Sequence, residues 1–229
     1  GQTEVFMTGT IEKGKTNVCE KLSGYILLSV AGGICGGYGV ISCGHTFPLA
    51  QTGNLIGMWE VLVGGDWRTA LLHFLMLVLF LIGLSATVLL PDKLEKTGGK
   101  KLLYAVTLLA EAACTGAALF FPESLPGILR VAPVFFLSAL QYNVFKSCEG
   151  VAASTLFCTN NLRQLTISFW DWKKGGGSAS AHKMLVYGMM VTGYSAGVLV
   201  SCFGAGTGRW ILLPAALLYL ALALASIRR

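Results

Sequence analysis

Long apolar runs separated by short polar stretches occupy the chain from residue 24 to its end. Six of these runs contain about 20 largely apolar residues, which is the length an α-helix needs to cross a bilayer. Residues 1–23 are polar, so they predict a cytoplasmic tail rather than a signal peptide. The six predicted spans are Gly24–Gly44, Trp67–Leu90, Lys101–Phe121, Leu125–Phe145, Met184–Cys202 and Trp210–Ile227.

Two further segments, His45–Gly65 and Gly150–Trp172, are only partly apolar. Each has a polar centre, Gln51–Asn54 in the first and Thr159–Asn161 in the second. Irregular backbone at membrane depth persists only where it is buried in protein or lines a cavity. We therefore predict that both segments are broken or re-entrant helices.

The composition agrees with a membrane protein. Of the 229 residues, 54% are hydrophobic and 12% are charged, whereas a soluble domain has about 25% charged residues. The fold class predicted is an all-α integral membrane protein with the lipid bilayer as its solvent. The formal charge is +6, but the basic residues flank the spans, so they predict topology and no nucleic-acid partner.

The basic residues indicate how the spans are oriented. If the N-terminus is cytoplasmic and both broken segments return to the side they left, all but three of the 17 lysines and arginines face the cytoplasm. The exceptions are Arg68, Arg130 and Arg209. This asymmetry favours six spans over seven, with both termini cytoplasmic. Eight spans would put the Lys93–Lys101 cluster outside, which argues against that alternative.

Two stretches of the chain repeat. Gly83–Leu89 and Gly193–Leu199 are identical at five of seven positions, at an offset of 110 residues. Thr52–Leu55 matches Thr159–Leu162 at an offset of 107. The order of span, polar break, span and span is the same in both halves, which indicates a repeated unit.

The repeat predicts two membrane units within one domain, residues 24–121 and residues 122–229. Each unit crosses the membrane three times, so the second enters from the opposite face. An inverted 3+3 repeat of this kind recurs in secondary transporters.

Several short motifs resemble one known family. In the first half they are Gly36–Val40, Ala50–Asn54 and Gly65–Trp67; in the second they are Leu140–Lys146, Glu149–Val151 and Cys158–Arg163. Over residues 24–227 the chain resembles the YoaK family of small bacterial inner-membrane proteins of unknown function. The resemblance implies about six helices and a multi-pass location in the bacterial inner membrane, with no established substrate.

Two positions depart from the family pattern. The family usually has an aspartate near the end of its first span, where this chain has Gly37, Tyr38 and Gly39. The second break usually has glycine where this chain has Asn160. A role for the missing aspartate therefore does not transfer to this chain.

The polar centres are the candidate ligand site. A helix broken in a bilayer exposes N–H and C=O groups that can hold an ion or a polar solute. The alternative is that these residues cap helix ends and join the repeats. The candidate ligand residues are Gln51, Thr52, Gly53, Asn54, Thr159, Asn160 and Asn161, together with Gln141 and Asn143 near the end of the fourth span.

Glu111 lies near the middle of the third predicted span. A carboxylate at that depth is costly, which makes it a functional candidate. We predict that it carries a proton coupled to transport; the alternative is a carboxyl group that hydrogen-bonds between helices.

Other motifs add no chemistry. Gly9–Thr16 fits the P-loop pattern, but that motif needs a strand before it and a helix after it, whereas only eight residues precede Gly9 and a predicted membrane span follows. The seven cysteines have no zinc spacing, and no catalytic triad order occurs, so the sequence predicts no metal, no cofactor and no enzyme.

The leading functional hypothesis is a small secondary transporter for a small molecule or ion, with its site at the midplane between the two breaks. The alternatives are a channel-like pore and a membrane enzyme or regulatory scaffold without transport. Small-residue faces, such as Gly33 with Gly37 and Gly193 with Gly197, predict tight helix contacts within the bundle or in a homodimer.

Overall fold

The computed structural model describes residues 17–89 and 91–228, with side chains left undescribed for residues 91–98. The P-loop-like run Gly9–Thr16 lies outside the described residues, as do residues 1–16 of the predicted tail. In chain order the elements are a 3-10 turn (Val18–Glu20), α1 (Leu22–Ser42), α2 (Gln51–Val63), α3 (Trp67–Leu89), α4 (Pro91–Ala118), α5 (Gly127–Arg130), α6 (Ala132–Val144), β1 (Ser147–Cys148), β2 (Val151–Ala152), α7 (Cys158–Lys173), α8 (Gly177–Phe203), a second 3-10 turn (Ala205–Ile211) and α9 (Leu212–Arg228).

Five helical segments in the described ranges are long and apolar enough to cross a membrane. The prediction of a helical membrane protein is confirmed at this level. One of the five is only part of α4, because that helix kinks at Gly99, where φ is 67°. The five segments are Leu22–Ser42, Trp67–Leu89, Gly99–Ala118, Gly177–Phe203 and Ala205–Arg228.

The predicted fourth span, Leu125–Phe145, is not one long helix. It consists of the short helix α5 and the 13-residue helix α6, which meet at Val131 with φ −98° and ψ 4°. Pro133 has no N–H to donate and therefore fits the first turn of a new helix. At about 1.5 Å per residue, α6 alone is roughly 20 Å long and too short to cross about 30 Å of hydrocarbon.

The two polar centres lie at helix starts, so neither segment is one helix broken in its middle, and the re-entrant alternative stays a prediction. The first turn of α2 contains Gln51–Asn54, and the first turn of α7 contains Thr159–Asn161. The irregular backbone lies before each helix. Polar side chains are favoured in a first turn, because the first N–H groups of a helix lack intrahelical acceptors. The hydrophilic stretch Lys173–Ser178 predicts a flexible cytoplasmic loop, but α7 extends to Lys173 and α8 begins at Gly177.

A small hairpin joins α6 to α7, and the prediction of an all-α chain did not include it. Ser147 pairs with Ala152, and Cys148 pairs with Val151. At the turn, Glu149 and Gly150 have φ values of 49° and 81°. Positive φ at both central residues is the requirement of a type I′ turn, which glycine meets without strain.

Helix α1 is the centre of the bundle and packs against both α8 and α9. At its contact with α8, a Cβ added to Gly197 would lie 2.1 Å from the carbonyl oxygen of Val30. A Cβ added to Gly33 would lie 2.1 Å from the carbonyl oxygen of Tyr194. The backbones are therefore in direct contact, and these small residues are used within one chain.

Hydrogen bonds identify which helix ends lie together. At one end, Glu149 accepts a hydrogen bond from the backbone N–H of Leu22, at the start of α1 (3.0 Å). His182, near the start of α8, lies 3.5 Å from the same carboxylate. At the other end, Arg130 donates to the carbonyl of Ser42, where α1 finishes (2.7 Å). Helices α1 and α8 therefore begin at the hairpin end, and α1 finishes near α5.

Replacing Gly197 by alanine is expected to destabilise the bundle by about 1–3 kcal/mol, because the new methyl group overlaps the α1 backbone. The measurement is the thermal unfolding midpoint of the purified protein. Gly188→Ala is the matched control on the same helix, since a Cβ there meets nothing within 4 Å. Equal midpoints for the two variants would contradict the close α1–α8 contact.

Candidate functional site

A cavity of about 980 Å³, here called the central cavity, lies where the starts of α2 and α7 approach α3, α6 and α8. Aromatic side chains from the three neighbouring helices form much of its wall: Phe80 from α3, Tyr142 from α6 and Tyr194 from α8. The volume is at the upper end of the range typical of small-molecule sites. The two matched polar segments of the sequence thus share one concave surface.

The two helix starts have nearly the same backbone geometry. The residue before α2, Ala50, has φ −111° and ψ 98°, and the residue before α7, Phe157, has φ −113° and ψ 106°. Neither residue caps its helix with a side chain. The first N–H groups of each helix lack intrahelical acceptors, and the positive end of each helix dipole lies beside the cavity.

Four of the predicted ligand residues line this cavity: Gln51, Thr52, Thr159 and Asn160. Gln51 Nε2 donates to the carbonyl of Pro48 (3.4 Å). Its Oε1 is buried and has no hydrogen-bond partner among the described residues. These side chains give the wall hydroxyl and amide groups beside the helix starts.

Asn54 lies two residues after Thr52 in α2 and does not line the cavity. Its Nδ2 donates to the backbone carbonyl of His73 on α3 (3.1 Å). Its Oδ1 lies 2.8 Å from His73 Nδ1, which donates in the Nδ1-protonated tautomer. Asn54 is buried, so its role in this structure is to hold α2 against α3.

Asn161, the counterpart of Asn54 in the second half, also turns away from the cavity. Its Nδ2 donates to the carbonyl of Ser154, and its Oδ1 accepts from the N–H of the same residue. Ser154 Oγ in turn accepts from the N–H groups of Leu156 and Phe157. Asn161 therefore fixes the extended loop that leads into α7.

Gln141 is fully buried and joins three elements. Its Nε2 donates to the carbonyl of Leu28 on α1 (3.1 Å) and to Thr155 Oγ1 (2.8 Å). Its Oε1 accepts from the hydroxyl of Tyr219 on α9 (2.8 Å). Both ends of the Gln141 amide are therefore engaged within the protein, and the residue does not line the central cavity.

The two remaining predicted ligand residues lie outside the central cavity. Asn143 donates to Thr87 Oγ1 on α3 (2.8 Å) and lines two smaller cavities near the end of α6. Gly53 faces the ring of Phe47, which a Cβ at that position would approach to 3.0 Å.

Glu111 is fully buried within the bundle, and both of its carboxyl oxygens lack a hydrogen-bond partner among the described residues. Cys35 on α1, Cys114 on α4 and Tyr219 on α9 are among its neighbours. It does not line the central cavity. A charged carboxylate without a partner at this depth is costly, which favours the neutral carboxyl group.

Residues 24–225, most of the chain, match the model of the protein family DUF1275, which is described as a family of unknown function. The chain belongs to the DUF1275 family. The YoaK proteins that the sequence resembles are members of the same family. Comparison with curated proteins and with solved structures gives no significant match.

Several residues of this DUF1275 protein line the central cavity although the sequence did not single them out as ligand residues. Phe80 and Tyr194 come from helices far from the polar segments in sequence, so only the fold brings them there. Cys158, Arg163 and Ser154 also line it. The first two flank the Thr159–Asn161 segment, and this adjacency was the one available signal.

In this DUF1275 protein, no three His, Cys, Asp or Glu side chains of residues 17–89 and 99–228 come together as a metal site would need. The site has instead a set of neutral donors and acceptors, one arginine and two helix starts.

Proposed function

We propose that this DUF1275 protein is a small secondary transporter of the bacterial inner membrane, and that its solute binds in the central cavity. The observation that carries the proposal is the shared wall of the cavity, to which the starts of α2 and α7 both contribute. In transporters built from repeats, helix starts of this kind bind the solute at the interface between the repeats.

The helix packing supports an inverted 3+3 repeat. When α1, α2, α3 and α4 are exchanged for α6, α7, α8 and α9, the contacts α1–α8, α2–α3 and α1–α9 become α6–α3, α7–α8 and α6–α4. All six of these contacts occur, and the α4–α9 contact maps onto itself. Two structurally related units are expected to give the same set of helix contacts when the helices of one unit are exchanged for those of the other.

The proposal includes six crossings, with α5 and α6 together making the fourth. Residues 127–144 form the two helices, and at about 1.5 Å per residue they extend roughly 27 Å, close to the hydrocarbon thickness. Arg130 and Arg209, two of the basic residues predicted outside, donate to the carbonyls of Ser42 and Phe121. These bonds join the end of α1 to α5, and the segment after α4 to the second 3-10 turn, as expected of chain segments that lie at one membrane face.

The solute contacts proposed are the free N–H groups of the two helix starts and the side chains of Gln51, Thr52, Thr159 and Asn160. The ring edges of Tyr142 and Tyr194 would complete an amphipathic site. Each hydroxyl contact is worth about 0.5–1.5 kcal/mol of binding, or roughly 3- to 10-fold in Kd.

We further propose that Glu111 couples transport to protons. A hydrogen-bonded chain supports this role, because Tyr219 donates to Gln141 and Gln141 donates to Thr155. The neighbours of Thr155, Ser154 and Leu156, line the central cavity. A shift in the position of the loop on solute binding would therefore reach the surroundings of Glu111.

A solute screen by thermal shift, followed by counterflow in proteoliposomes, tests the transporter proposal. In a Cys202→Ser background, N-ethylmaleimide on Cys158 is expected to block exchange of the stabilising solute, and that solute is expected to protect Cys158. Thr52→Val and Thr159→Val should each weaken binding about 3- to 10-fold. Thr166→Val is the control, because Thr166 bonds to its own helix and lies outside the cavity.

Two results would contradict the transporter. Solute-driven counterflow distinguishes a carrier from a channel, so flux without exchange would favour the pore. Stabilisation that is equally strong in Thr52→Val, Thr159→Val and Thr166→Val would place the solute elsewhere.

For proton coupling, Glu111→Gln is expected to abolish uptake driven by a pH gradient while counterflow of the same solute continues, because exchange requires no net release of a proton. The measurement compares both modes in proteoliposomes. Glu60→Gln, which changes an exposed carboxylate on α2, is the control. Retained gradient-driven uptake in Glu111→Gln would refute the role.

A further inference from the structure

Two smaller cavities continue the central cavity toward the end of α6. A middle cavity of about 260 Å³ shares Tyr142, Ser154 and Asn160 with the central cavity. A third cavity of about 290 Å³, here called the basic cavity, shares Asn143 and Lys146 with the middle one. Cavities that share wall residues are neighbours, so the three lie in a row between the end of α6 and the two helix starts.

The charged side chains along this row all have the same sign. Lys100 and Lys146 line the basic cavity, Lys146 also lines the middle cavity, and Arg163 lines the central cavity. No carboxylate is among the described residues that line the three cavities. Glu20 does not line the row, but its Oε1 accepts a hydrogen bond from the hydroxyl of Tyr104, which lines the basic cavity (3.1 Å).

The neutral groups of the row supply further hydrogen-bond donors. Thr87 and Ser147 line the basic cavity with their hydroxyl groups, beside Asn143. At the inner end, the starts of α2 and α7 add free N–H groups and the positive ends of two helix dipoles. The potential is therefore positive at both ends of the row, from independent sources.

We infer that the transported solute is a small anion, which travels along this row from Lys146 to Arg163. The inference rests on the proposed transporter and specifies its substrate class. A row of cavities lined by one sign of charge concentrates ions of the opposite sign and repels ions of the same sign. Lysines at a membrane face are common, but these two line cavities that lead to the proposed site.

The sequence adds a direction to this route. Lys100, Lys146 and Arg163 are all among the basic residues that the charge asymmetry predicts on the cytoplasmic side. Lys146 lies in the connection after α6, at the hairpin end, whereas the central cavity is lined by Phe80 and Tyr194 from the middle of α3 and α8. The basic cavity is therefore the cytoplasmic entrance in this account. Lys146 is its specificity-determining residue, because it lines both the basic and the middle cavity.

Charge-selective labelling of Cys158 tests the inference without knowledge of the solute. In the Cys202→Ser background, Cys158 reacts with anionic sulfonatoethyl or cationic trimethylammonioethyl methanethiosulfonate, and Cys158→Ser measures background labelling. The rate with the anionic reagent is divided by the rate with the cationic reagent, and this ratio is then divided by the same ratio for a free thiol, which cancels the reactivity of Cys158 itself. We expect the normalised ratio to be about ten, because several cations act on the reagents at short range.

Removing single charges should lower the normalised ratio in steps. Lys146→Gln and Arg163→Gln are each expected to reduce it about threefold or more, whereas Lys174→Gln, an exposed lysine beyond the end of α7, leaves it unchanged. A normalised ratio near one, or one that Lys146→Gln does not alter, overturns the inference. The second outcome would mean that the lysines only hold lipid headgroups.

The labelling result and the counterflow result separate the two proposals. Exchange of a neutral or cationic solute through a Cys158-sensitive site, with a ratio near one, overturns the anion inference and leaves the transporter intact. An anion-favouring ratio with no exchange of any solute overturns the transporter and leaves an anion-accessible cavity.

Discussion

Backbone polar groups at the starts of α2 and α7 are the constraint on which the rest of this structure depends. Each unpaired N–H or C=O costs several kcal/mol in hydrocarbon. Where the chain leaves helical geometry between apolar spans, other groups must therefore supply the hydrogen bonds that water would otherwise make. Asn161 provides part of this substitution by bonding the N–H and C=O groups of Ser154 in the loop before α7, while Asn54 holds α2 against α3. The N–H groups that remain at the two starts border the central cavity, where a solute can satisfy them.

The same constraint explains why the bundle contains so many buried polar side chains. Gln141, Tyr219 and Thr155 form one connected group, in which the Gln141 amide bonds through both its donor and its acceptor. Glu111 stands apart as a buried group without a partner among the described residues. The contrast between a satisfied amide and an unsatisfied carboxyl is what directs the proton-coupling proposal to Glu111 and not to Gln141.

The sequence predicted those features that depend on local pattern. It located α3 to within one residue, and it matched Thr52 with Thr159, which occupy the same position in the first turns of α2 and α7. It missed the division of the fourth span at Val131, where Pro133 begins a new helix within the apolar run. It also missed the hairpin turn, which Glu149 and Gly150 form with positive φ values. It also predicted Asn54 as a ligand residue, which stays a prediction. It could not predict the contact of Asn54 with His73 on α3, because that contact depends on how the two helices pack. Residues that converge only in space, such as Phe80 and Tyr194, leave no local signal.

The central claim is that the two helix starts bind one solute between them. The most direct measurement is an electron-microscopy map of the protein in lipid nanodiscs, prepared with the solute that stabilises it most. The account predicts density in contact with Thr52 and Thr159, bounded by Tyr142 and Tyr194. Acyl chains that fill the central cavity, with the solute bound elsewhere, would contradict it.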